Sequence, residues 1–255
     1  MSPDQRREQI TSHVNETGKV DIEQLSHTFN VSPMTIRRDL DFLEQKGKLI
    51  RTHGGAVSPR SLTQETPYLN KETKNVKEKR AIARTAASFI PDGSSILLDS
   101  GTTTLELARC LLQKNDITVI TNDIKIAAEL MNSSIKVVVT GGDLQNNVGA
   151  LFGPQTQEFL RTIHVDFFFL GAHAIDLQAG VTAPTLEKSL VKKLMLETAE
   201  ESWLIADSSK LNQKAFSKVC NLSTLNGLIM DSGINDEDFR LIEQHVQTHI
   251  VESGD

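Results

Sequence analysis

Six short apolar runs, each followed by a small polar loop, recur through the second half of the chain and constrain its fold most strongly. The runs are SILLD, ITVIT, IKVVVT, VDFFFLG, WLIAD and GLIM, and helical patterns lie between them. Strands that alternate with helices are typical of parallel sheets, because a parallel connection needs a crossover that a helix usually provides. Both faces of such a sheet are covered, which explains runs without polar alternation. The sequence therefore predicts a mostly parallel α/β domain, with a last helix at about residues 236–247.

The first 57 residues carry a different pattern, which predicts three helices and a short hairpin. Apolar spacing predicts a helix at residues 3–16 and a second at Ile22–Phe29. Asp21 caps the second helix, with Gln24 completing a capping-box pattern. A third helix begins after Ser32, an N-cap followed by proline, and ends at Gly47. The hairpin is LIRTHGGAV at residues 49–57, two short strands around a His-Gly-Gly turn. This order predicts a winged helix-turn-helix.

Two adjacent arginines lie on the polar side of the third helix. Ile36, Leu40 and Leu43 form its apolar stripe, so Arg37 and Arg38 point away from the core. One guanidinium can read the O6 and N7 atoms of a guanine while the other holds a phosphate. An arginine pair alone is more often a solvated helix face, but here capped helices and a basic wing surround it. The predicted DNA-binding residues are Ser32, Thr35, Arg37, Arg38, Arg51 and His53.

The net charge of −6 by itself disfavours binding to nucleic acid, but the charge is distributed unevenly along the chain. Residues 1–60 contain nine Lys and Arg against eight Asp and Glu, and residues 37–60 contain six against three. The local field, rather than the total, decides contact with phosphates. The acidic remainder of the chain is expected to lie away from DNA.

The motifs VS-x-x-TIRRDL and R-x-HGGA, within residues 7–57, resemble the N-terminal signature of the DeoR family of bacterial regulators. The resemblance implies operator binding, usually as a repressor of a sugar-use operon. It places Thr35, Arg37 and Arg38 on the recognition helix. Asp39 is expected to pair within the domain instead of meeting DNA.

Polar or glycine-rich loops follow five of the predicted strands, and we expect them to converge on one pocket. Ligands of open α/β sheets bind outside the carboxyl ends of the strands. The loop SGTTT opens a helix, whose N–H groups and hydroxyls can hold a phosphate. Lys192 and Lys210 can add positive charge, and Asp99 and Asp207 can accept hydrogen bonds from sugar hydroxyls. These groups suit a phosphorylated sugar, although a run of Ser and Thr before a helix is often only a cap.

The sequences DSGTTT, TN, TGG, LGA and ADSSK are similar to the DeoR-family sensor domain, which is akin to ribose-5-phosphate isomerase in fold. TAPTLEKSLVKK, at residues 182–193, resembles the family's helix that carries an acidic residue and a lysine, here Glu187 and Lys192. Many members have Phe and Gly after the lysine of the last motif, whereas this chain has Leu211 and Asn212. The predicted effector-binding residues are Asp99, Ser100, Gly101, Thr102, Thr103, Thr104, Asn122, Gly141, Gly142, Gly171, Glu187, Lys192, Asp207 and Lys210.

Three functions remain open at this point. The first is a repressor controlled by a phosphorylated sugar, and the second is an isomerase-like enzyme with an appended DNA-binding module. The third is an architectural DNA protein that needs no ligand. The chain has no counterpart to the isomerase's lysine-rich and glycine-rich catalytic stretch, so binding without turnover and no catalytic residues are expected.

The predicted organisation is a winged helix-turn-helix at residues 1–58, a linker at 59–75 and an α/β effector-binding domain at 76–255. A lone winged helix rarely gives enough specificity, so a dimer or tetramer is expected. No apolar run approaches the roughly 20 residues that span a bilayer, and no signal peptide is recognisable, so a cytoplasmic location is expected. Cys110 and Cys220 are expected to be free thiols. His164 and His173 lack metal-ligand spacing, and no cofactor is expected.

Overall fold

The computed structural model describes residues 1–52, 54–58, 61–63, 65 and 68–253. Residues 1–58, here called the head, form three helices packed against a small antiparallel sheet of strand order β1-β3-β2. Their elements in chain order are α1 (Pro3–Thr17), β1 (Lys19–Asp21), α2 (Ile22–Phe29), α3 (Pro33–Gln45), β2 (Ile50–Arg51) and β3 (Gly55–Val57). The predicted winged helix-turn-helix is confirmed, with α2 matching its predicted bounds. Strand β1 was not predicted.

Local side-chain hydrogen bonds set the helix boundaries of the head. The carboxylate of Asp21 accepts from the N–H groups of Glu23 and Gln24, at 2.8 and 3.2 Å. The hydroxyl of Ser32 accepts from the N–H of Thr35 at 3.2 Å. These bonds satisfy amides that have no partner inside a helix. Asp21 and Ser32 therefore cap the two helix starts as predicted, but the described contacts include no return bond from the Gln24 side chain that would complete a capping box.

A glycine in the wing is required by a close approach of two backbones. A Cβ atom built on Gly55 would lie 1.9 Å from the carbonyl oxygen of Val20, a distance that no side chain tolerates. Strand β3 pairs with β1 at this point, with Gly55 opposite Asp21. The second glycine of the R-x-HGGA motif is therefore a packing requirement of the three-stranded sheet.

Asp39 lies inside the head, as expected, and joins α3 to α1. Its carboxylate is 2% exposed and accepts from Arg6 Nε at 2.6 Å and from Arg7 Nε at 2.8 Å. Arg6 is also buried, so its guanidinium depends on this carboxylate for charge compensation. The third helix is thus held in place by an internal ion pair of the residue that follows its two exposed arginines.

Residues 68–253, here called the body, form a seven-stranded sheet of order β15-β14-β12-β9-β4-β5-β6 in which all neighbours pair in parallel. The mostly parallel α/β fold is confirmed. The small sheets β10-β11-β13 and β7-β8 are antiparallel. The elements are α4 (Tyr68–Glu72), α5 (Val76–Ser88), β4 (Ser95–Leu98), α6 (Thr102–Leu111), β5 (Thr118–Thr121), α7 (Ile124–Leu130), β6 (Lys136–Val139), β7 (Asp143–Gln145), β8 (Ala150–Phe152), α8 (Pro154–Leu160), β9 (Val165–Gly171), β10 (Ala174–Asp176), β11 (Gly180–Ala183), α9 (Leu186–Thr198), β12 (Ala199–Ile205), β13 (Ser217–Cys220), β14 (Gly227–Asp231), α10 (Asp236–Glu243) and β15 (Thr248–Val251).

Two apolar cores cover the two faces of the large sheet. Successive strand residues alternate between them, so Phe168 packs in one core and Phe169 in the other. Helices α5, α6 and α7 cover the face that carries Phe169, and α9 and α10 cover the face that carries Phe168. The apolar runs that revealed the strands are apolar throughout because both faces are buried.

The end of the chain differs from the prediction. Helix α10 ends at Glu243, so the predicted bound of 247 is four residues too long. Strand β15 follows, pairs with β14 and forms one edge of the sheet. Its sequence, THIV, is partly exposed and lacks the continuous apolar run of the other strands, which explains why it was missed.

Part of the predicted linker, residues 59–75, is helical. Helix α4 lies within it, and Tyr68 at its start is 2% exposed. Pro59 and Pro67, on which the linker prediction rested, lie outside the described residues. The domain boundaries stay a prediction. Among the helices of the described ranges, none is long and apolar enough to cross a bilayer. Cys110 and Cys220 are both free.

Candidate functional site

Two unpaired guanidiniums lie on the exposed face of α3. Arg37 and Arg38 are both exposed, and within the described part of the chain neither side chain makes a hydrogen bond or an ion pair. Ser32 is exposed at the helix start, and the Thr35 hydroxyl lies 3.0 Å from its oxygen. Met34, which sequence reasoning missed, is 54% exposed one turn before Arg38. This face offers two free cations, a hydroxyl pair and an apolar group that can contact a thymine methyl.

Arg51 lies against α3 instead of extending from the wing. Its Nη1 donates to the carbonyl of Arg37 at 3.3 Å and lies 3.4 Å from a carboxylate oxygen of Asp41. Its backbone N–H donates to Glu44 Oε1 at 2.7 Å. These contacts tie the wing to the recognition helix. Contact of Arg51 with DNA stays a prediction, and His53 lies outside the described residues.

A pocket opens in the body where three neighbouring strands end. Strands β12, β9 and β4 are adjacent in the sheet, and the loops after them meet at its carboxyl edge. The chain leaves β4 toward β5 on one side, whereas β9 and β12 lie on the other side. Such a switch in strand order separates the loops and creates a crevice for a ligand.

Nine of the predicted effector-binding residues line this pocket together. The loop after β4 and the start of α6 contribute five of them, and the others come from the ends of β9 and β12 and from α9. They are Asp99, Ser100, Gly101, Thr102, Thr103, Gly171, Lys192, Asp207 and Lys210.

Two of the other predicted residues are buried, and their side chains are hydrogen-bonded to backbone carbonyls of the protein. Thr104 is fully buried, and its hydroxyl donates to the carbonyl of Gly101 at 2.9 Å. Asn122 is 1% exposed, and its amide donates to the carbonyl of Leu151 at 3.2 Å. Neither lines the pocket. Their hydrogen bonds hold the ends of β4 and β5 in place.

The loop after β6 contributes none of the described residues that line the pocket. Strand β6 is the edge strand, two strands beyond β4, and neighbouring strands are about 4.8 Å apart. Gly142 has φ +109°, and a Cβ built on it would lie 2.1 Å from the carbonyl oxygen of Phe152. Gly141 and Gly142 therefore serve a tight turn against β8. Of the five loops expected to converge, those after β4, β9 and β12 line the pocket, while contacts of Asn122, Gly141 and Gly142 with a ligand stay a prediction.

Glu187 is exposed in the first turn of α9, and its neighbour Lys188 lines the pocket instead. Successive helix residues are rotated by about 100°, so adjacent positions face different directions. The motif resemblance indicated the correct helix but not the side chain that reaches the pocket.

Lys192 is engaged within the protein. Its ammonium bonds the carboxylate of Asp99 and donates to the carbonyl of Gly171 at 3.0 Å. The N–H of Gly171 donates to the same Asp99 oxygen at 2.9 Å. This closed set of bonds holds the loops after β4 and β9 against α9. Lys192 and Asp99 shape the pocket, while little of their charge remains free for a ligand.

Lys210 is a free cation of the pocket. Its ammonium makes no hydrogen bond or ion pair with any described residue, while nearby Asp207 accepts from Asn75 Nδ2 at 2.7 Å. Burial lowers the pKa of Lys210 and Asp207 opposes this effect, with Lys71 lowering the pKa further. Asn212, where many DeoR members have glycine, has φ +55°, a left-handed conformation that asparagine tolerates. The departure from the family pattern therefore leaves Lys210 in the pocket.

Seven further residues line the pocket, and four of them carry titratable side chains that were not among the predicted site residues: Glu65, Lys71, His173 and Lys188. Glu65 bonds Lys188, and its other oxygen lies 3.1 Å from Lys71 Nζ. Burial lowers the pKa of His173 to about 4, so its imidazole is neutral at pH 7. Glu65 and Lys71 come from the segment predicted to be a linker, which has no periodic pattern that would place them at the sheet edge.

The pocket combines groups for an anion with groups for hydroxyls. It contains four lysines, of which one is free, and three carboxylates. The start of α6 adds backbone N–H groups of Thr102 and Thr103, which favour a negative charge. The Ser100 hydroxyl is directed away from this role, because it donates to Asp123 at 2.9 Å. The arrangement suits a small ligand with one anionic end and several hydroxyl groups.

Two family profiles match this chain. The DeoR-like helix-turn-helix domain matches residues 6–62, and the DeoR C terminal sensor domain matches residues 74–232. The HTH-type transcriptional regulator GlpR of Haloferax volcanii is 37% identical over 240 residues, covering 94% of each chain. The glycerol-3-phosphate regulon repressor of Escherichia coli strain K12 is 31% identical, covering 91% of this chain and 92% of its own length.

Solved structures overlap with part of the chain at low identity. Ribose 5-phosphate isomerase A from Methanocaldococcus jannaschii aligns with a TM-score of 0.41 and 20% identity, covering 54% of this chain and 55% of its own. The assignment of this chain to a family is instead based on the two profiles and on relatives that match over nearly the whole chain. The head with its exposed recognition helix and the body with its pocket are thus the two parts of a transcriptional regulator, and the chain belongs to the DeoR family.

Proposed function

We propose that this protein is a transcriptional repressor of a carbohydrate-use operon whose operator affinity is controlled by a phosphorylated sugar bound in the body pocket. The observation that carries the proposal is the Lys210 ammonium, which has no bonding partner among the described residues, in a pocket that the start of α6 and three carboxylates also line. The relative from Escherichia coli is named for the glycerol-3-phosphate regulon, which supports a phosphorylated polyol or sugar as the ligand class.

In this proposal the phosphate lies against the N–H groups of Thr102 and Thr103 and against Lys210. Hydrogen bonds between an ionised donor and a phosphate are stronger than those between neutral groups. Asp207 accepts from sugar hydroxyls. Asp99 and Lys192 hold the loops together, and their predicted contacts with the ligand are indirect.

Replacement of Lys210 by alanine is expected to weaken the binding of a phosphorylated sugar by about 1.5–3 kcal/mol, because a charged hydrogen-bond partner is lost. Thr103→Ala is expected to have a smaller effect, since the backbone N–H remains. The ligand is first identified by a thermal-shift screen of phosphorylated sugars, because a ligand of the native state raises its apparent stability. Calorimetry then measures the affinity of wild type and variants for the phosphorylated and the free sugar.

The matched control is Lys214→Ala, which removes the same charge four residues further along the chain. The Lys214 side chain does not line the pocket, and its ammonium lies 3.6 Å from a carboxylate oxygen of Asp176. This variant is expected to bind the ligand as wild type does, and all three variants should still bind operator. Equal affinity for the phosphorylated and the free sugar, or an unchanged affinity in Lys210→Ala, would refute the assignment.

Binding without turnover is part of the proposal, since the motifs that carry the family resemblance concern DNA binding and ligand sensing. An isomerase assay with the sugar phosphates that raise thermal stability tests this point directly. Conversion of any of them at a rate that depends on Asp207 or Lys210 would favour the enzyme alternative.

We also propose that the repressor binds DNA as a symmetric dimer or tetramer. A single α3 reads only a few base pairs, so two copies are needed for a specific site. Half-sites are expected about 10 bp apart or at a multiple of that distance. Footprinting on an operator selected from random DNA, together with sedimentation at the same concentration, measures both. Protection of one isolated half-site by a monomer contradicts the proposal.

A further inference from the structure

A carboxylate from the segment between head and body lies inside the ligand pocket. Glu65 bonds the ammonium of Lys188, and its second oxygen lies 3.1 Å from Lys71 Nζ. All three side chains line the pocket that contains Lys210. Glu65 therefore brings an anion of the protein's own chain into the site proposed for an anionic ligand.

Lys188 needs an anion at this position. It is 8% exposed, and burial lowers the pKa of its ammonium while Glu65 opposes this effect. Burial alone would raise the pKa of Glu65, but Lys188 and Lys71 outweigh it and the pKa of this carboxyl falls below its ordinary value. An isolated buried charge is costly, whereas a paired one is tolerated. The cationic pair of Lys71 and Lys188 is thus a built anion site that Glu65 occupies.

Glu65 is close to the head along the chain. Only seven residues separate it from Val57, the last residue of β3 in the wing sheet. Ser58 is attached to the head, since its N–H donates to the carbonyl of Gly18 at 2.9 Å. Leu62 is attached to the body, since its carbonyl accepts from the N–H of Phe216 at 2.9 Å. Both attachments lie shortly before Glu65 in the chain, so a change in the position of Glu65 acts next to a segment that is bonded to the head at Ser58 and to the body at Leu62.

The ligand pocket also borders a cleft between head and body. Glu65, Lys71 and Lys210 line both, and the head contributes Thr17, Gly18, Lys19 and Val57 to the cleft. Changes at Glu65 and Lys71 are thus adjacent to the surface at which the head meets the body.

We infer that Lys71 and Lys188 extend the phosphate site at Lys210 in the same pocket, and that Glu65 is a tethered competitor which the phosphate of the ligand displaces. The inference rests on the proposed function for the identity of the ligand class. Displacement of Glu65 removes its ion pairs with Lys188 of α9 and with Lys71 of α4. The displacement of Glu65 therefore links the binding of an anion to the contacts between the head and the body.

Competition by Glu65 is expected to weaken the apparent affinity of the pocket for an anion by a measurable factor. The apparent affinity of a ligand is reduced by the fraction of molecules in which its site is free. If Glu65 occupies the subsite in roughly nine molecules of ten, its removal tightens anion binding about tenfold.

The test uses inorganic phosphate as the probe, with calorimetry on the full chain. Glu65→Gln keeps the shape of the side chain and is expected to bind phosphate about tenfold more tightly than wild type. The matched control is Glu72→Gln, an exposed carboxylate of α4, which makes the same change in net charge and should leave phosphate affinity unchanged. In a Lys188→Met background, Glu65→Gln should give no further gain.

A second measurement follows the segment itself. Hydrogen exchange of the Phe216 N–H is expected to become faster when phosphate binds to wild type, because the Leu62 carbonyl is released. It should already be fast in Glu65→Gln without phosphate, and slow in Glu72→Gln. Unchanged or weaker phosphate binding in Glu65→Gln, or a Phe216 N–H whose exchange is the same in all variants, overturns the inference.

The outcome for the subsite is separate from the outcome for the proposed function. If Glu65→Gln tightens phosphate binding but no sugar phosphate changes operator affinity, the subsite stands and the proposed function fails. If a sugar phosphate releases operator through Lys210 while Glu65→Gln has no effect on phosphate, the proposed function stands and the subsite fails.

Discussion

Asp39→Ala is expected to lower the free energy of unfolding of the head by about 3–5 kcal/mol, because it leaves a buried guanidinium without its counterion. Asp39 is 2% exposed and Arg6 is 8% exposed, and their ion pair joins α3 to α1. Arg7 loses the same partner. The recognition helix then loses its fixed position, and operator binding is expected to fall with the folded fraction.

Differential scanning calorimetry of the full chain measures this effect. The sole tryptophan, Trp203, lies in the body and reports separately on unfolding there. The control is Asp41→Ala, two residues further along α3, whose 58% exposed side chain pairs with Arg51 at 3.4 Å. Exposed ion pairs contribute about 0–1 kcal/mol, so this variant should unfold close to wild type. Equal stability of the two variants would show that the buried pair does not hold the head together.

Simultaneous replacement of Arg37 and Arg38 by alanine is expected to remove most of the specific operator affinity. A bidentate contact with a guanine contributes about 1–3 kcal/mol of discrimination, and a dimer would lose this contribution in both half-sites. The second arginine is expected to hold a phosphate, so its removal lowers the slope of log affinity against log salt by about one per copy. Both side chains are exposed and unpaired with any described residue, so stability should not change.

The two single variants separate these roles when affinity for operator and for unrelated DNA is measured at several salt concentrations. The arginine that reads a base should reduce the ratio of the two affinities, and the other should lower both together. Lys46→Ala, which removes a cation from the C-terminal end of the same helix, is the control and should change only the weak salt-dependent attraction. Wild-type operator affinity in the double variant contradicts the assignment of α3 as the reading element.

Local sequence signals determined much of the head and the strands of the body. Asp21 and Ser32 are capping residues whose bonds involve neighbours two or three residues away, so sequence placed the starts of α2 and α3 correctly. The exposure of Arg37 and Arg38 followed from the helical spacing of the apolar stripe. Six parallel strands were recognised because burial on both faces requires continuous apolar residues.

The order of the strands, by contrast, was decided only by tertiary structure. Each predicted strand was followed by a polar loop, but which loops meet depends on which strands are neighbours in the sheet. Strands β4, β9 and β12 are adjacent, so Asp99, Gly171 and Asp207 share a pocket. Strand β6 is at the far edge, and Gly141 and Gly142 in the loop after it are not among the described residues that line the pocket.

The sequence by itself determined that this chain pairs a winged helix-turn-helix with a parallel α/β domain of the DeoR type. Only the tertiary structure separated Lys192, which is paired with Asp99, from Lys210, which bonds to no residue in the described part of the chain. It also placed Glu65 against Lys188, more than a hundred residues away along the chain. The reason is physical: capping and periodicity act within a few residues, whereas the charge that remains free in a pocket depends on contacts between segments that are distant in sequence.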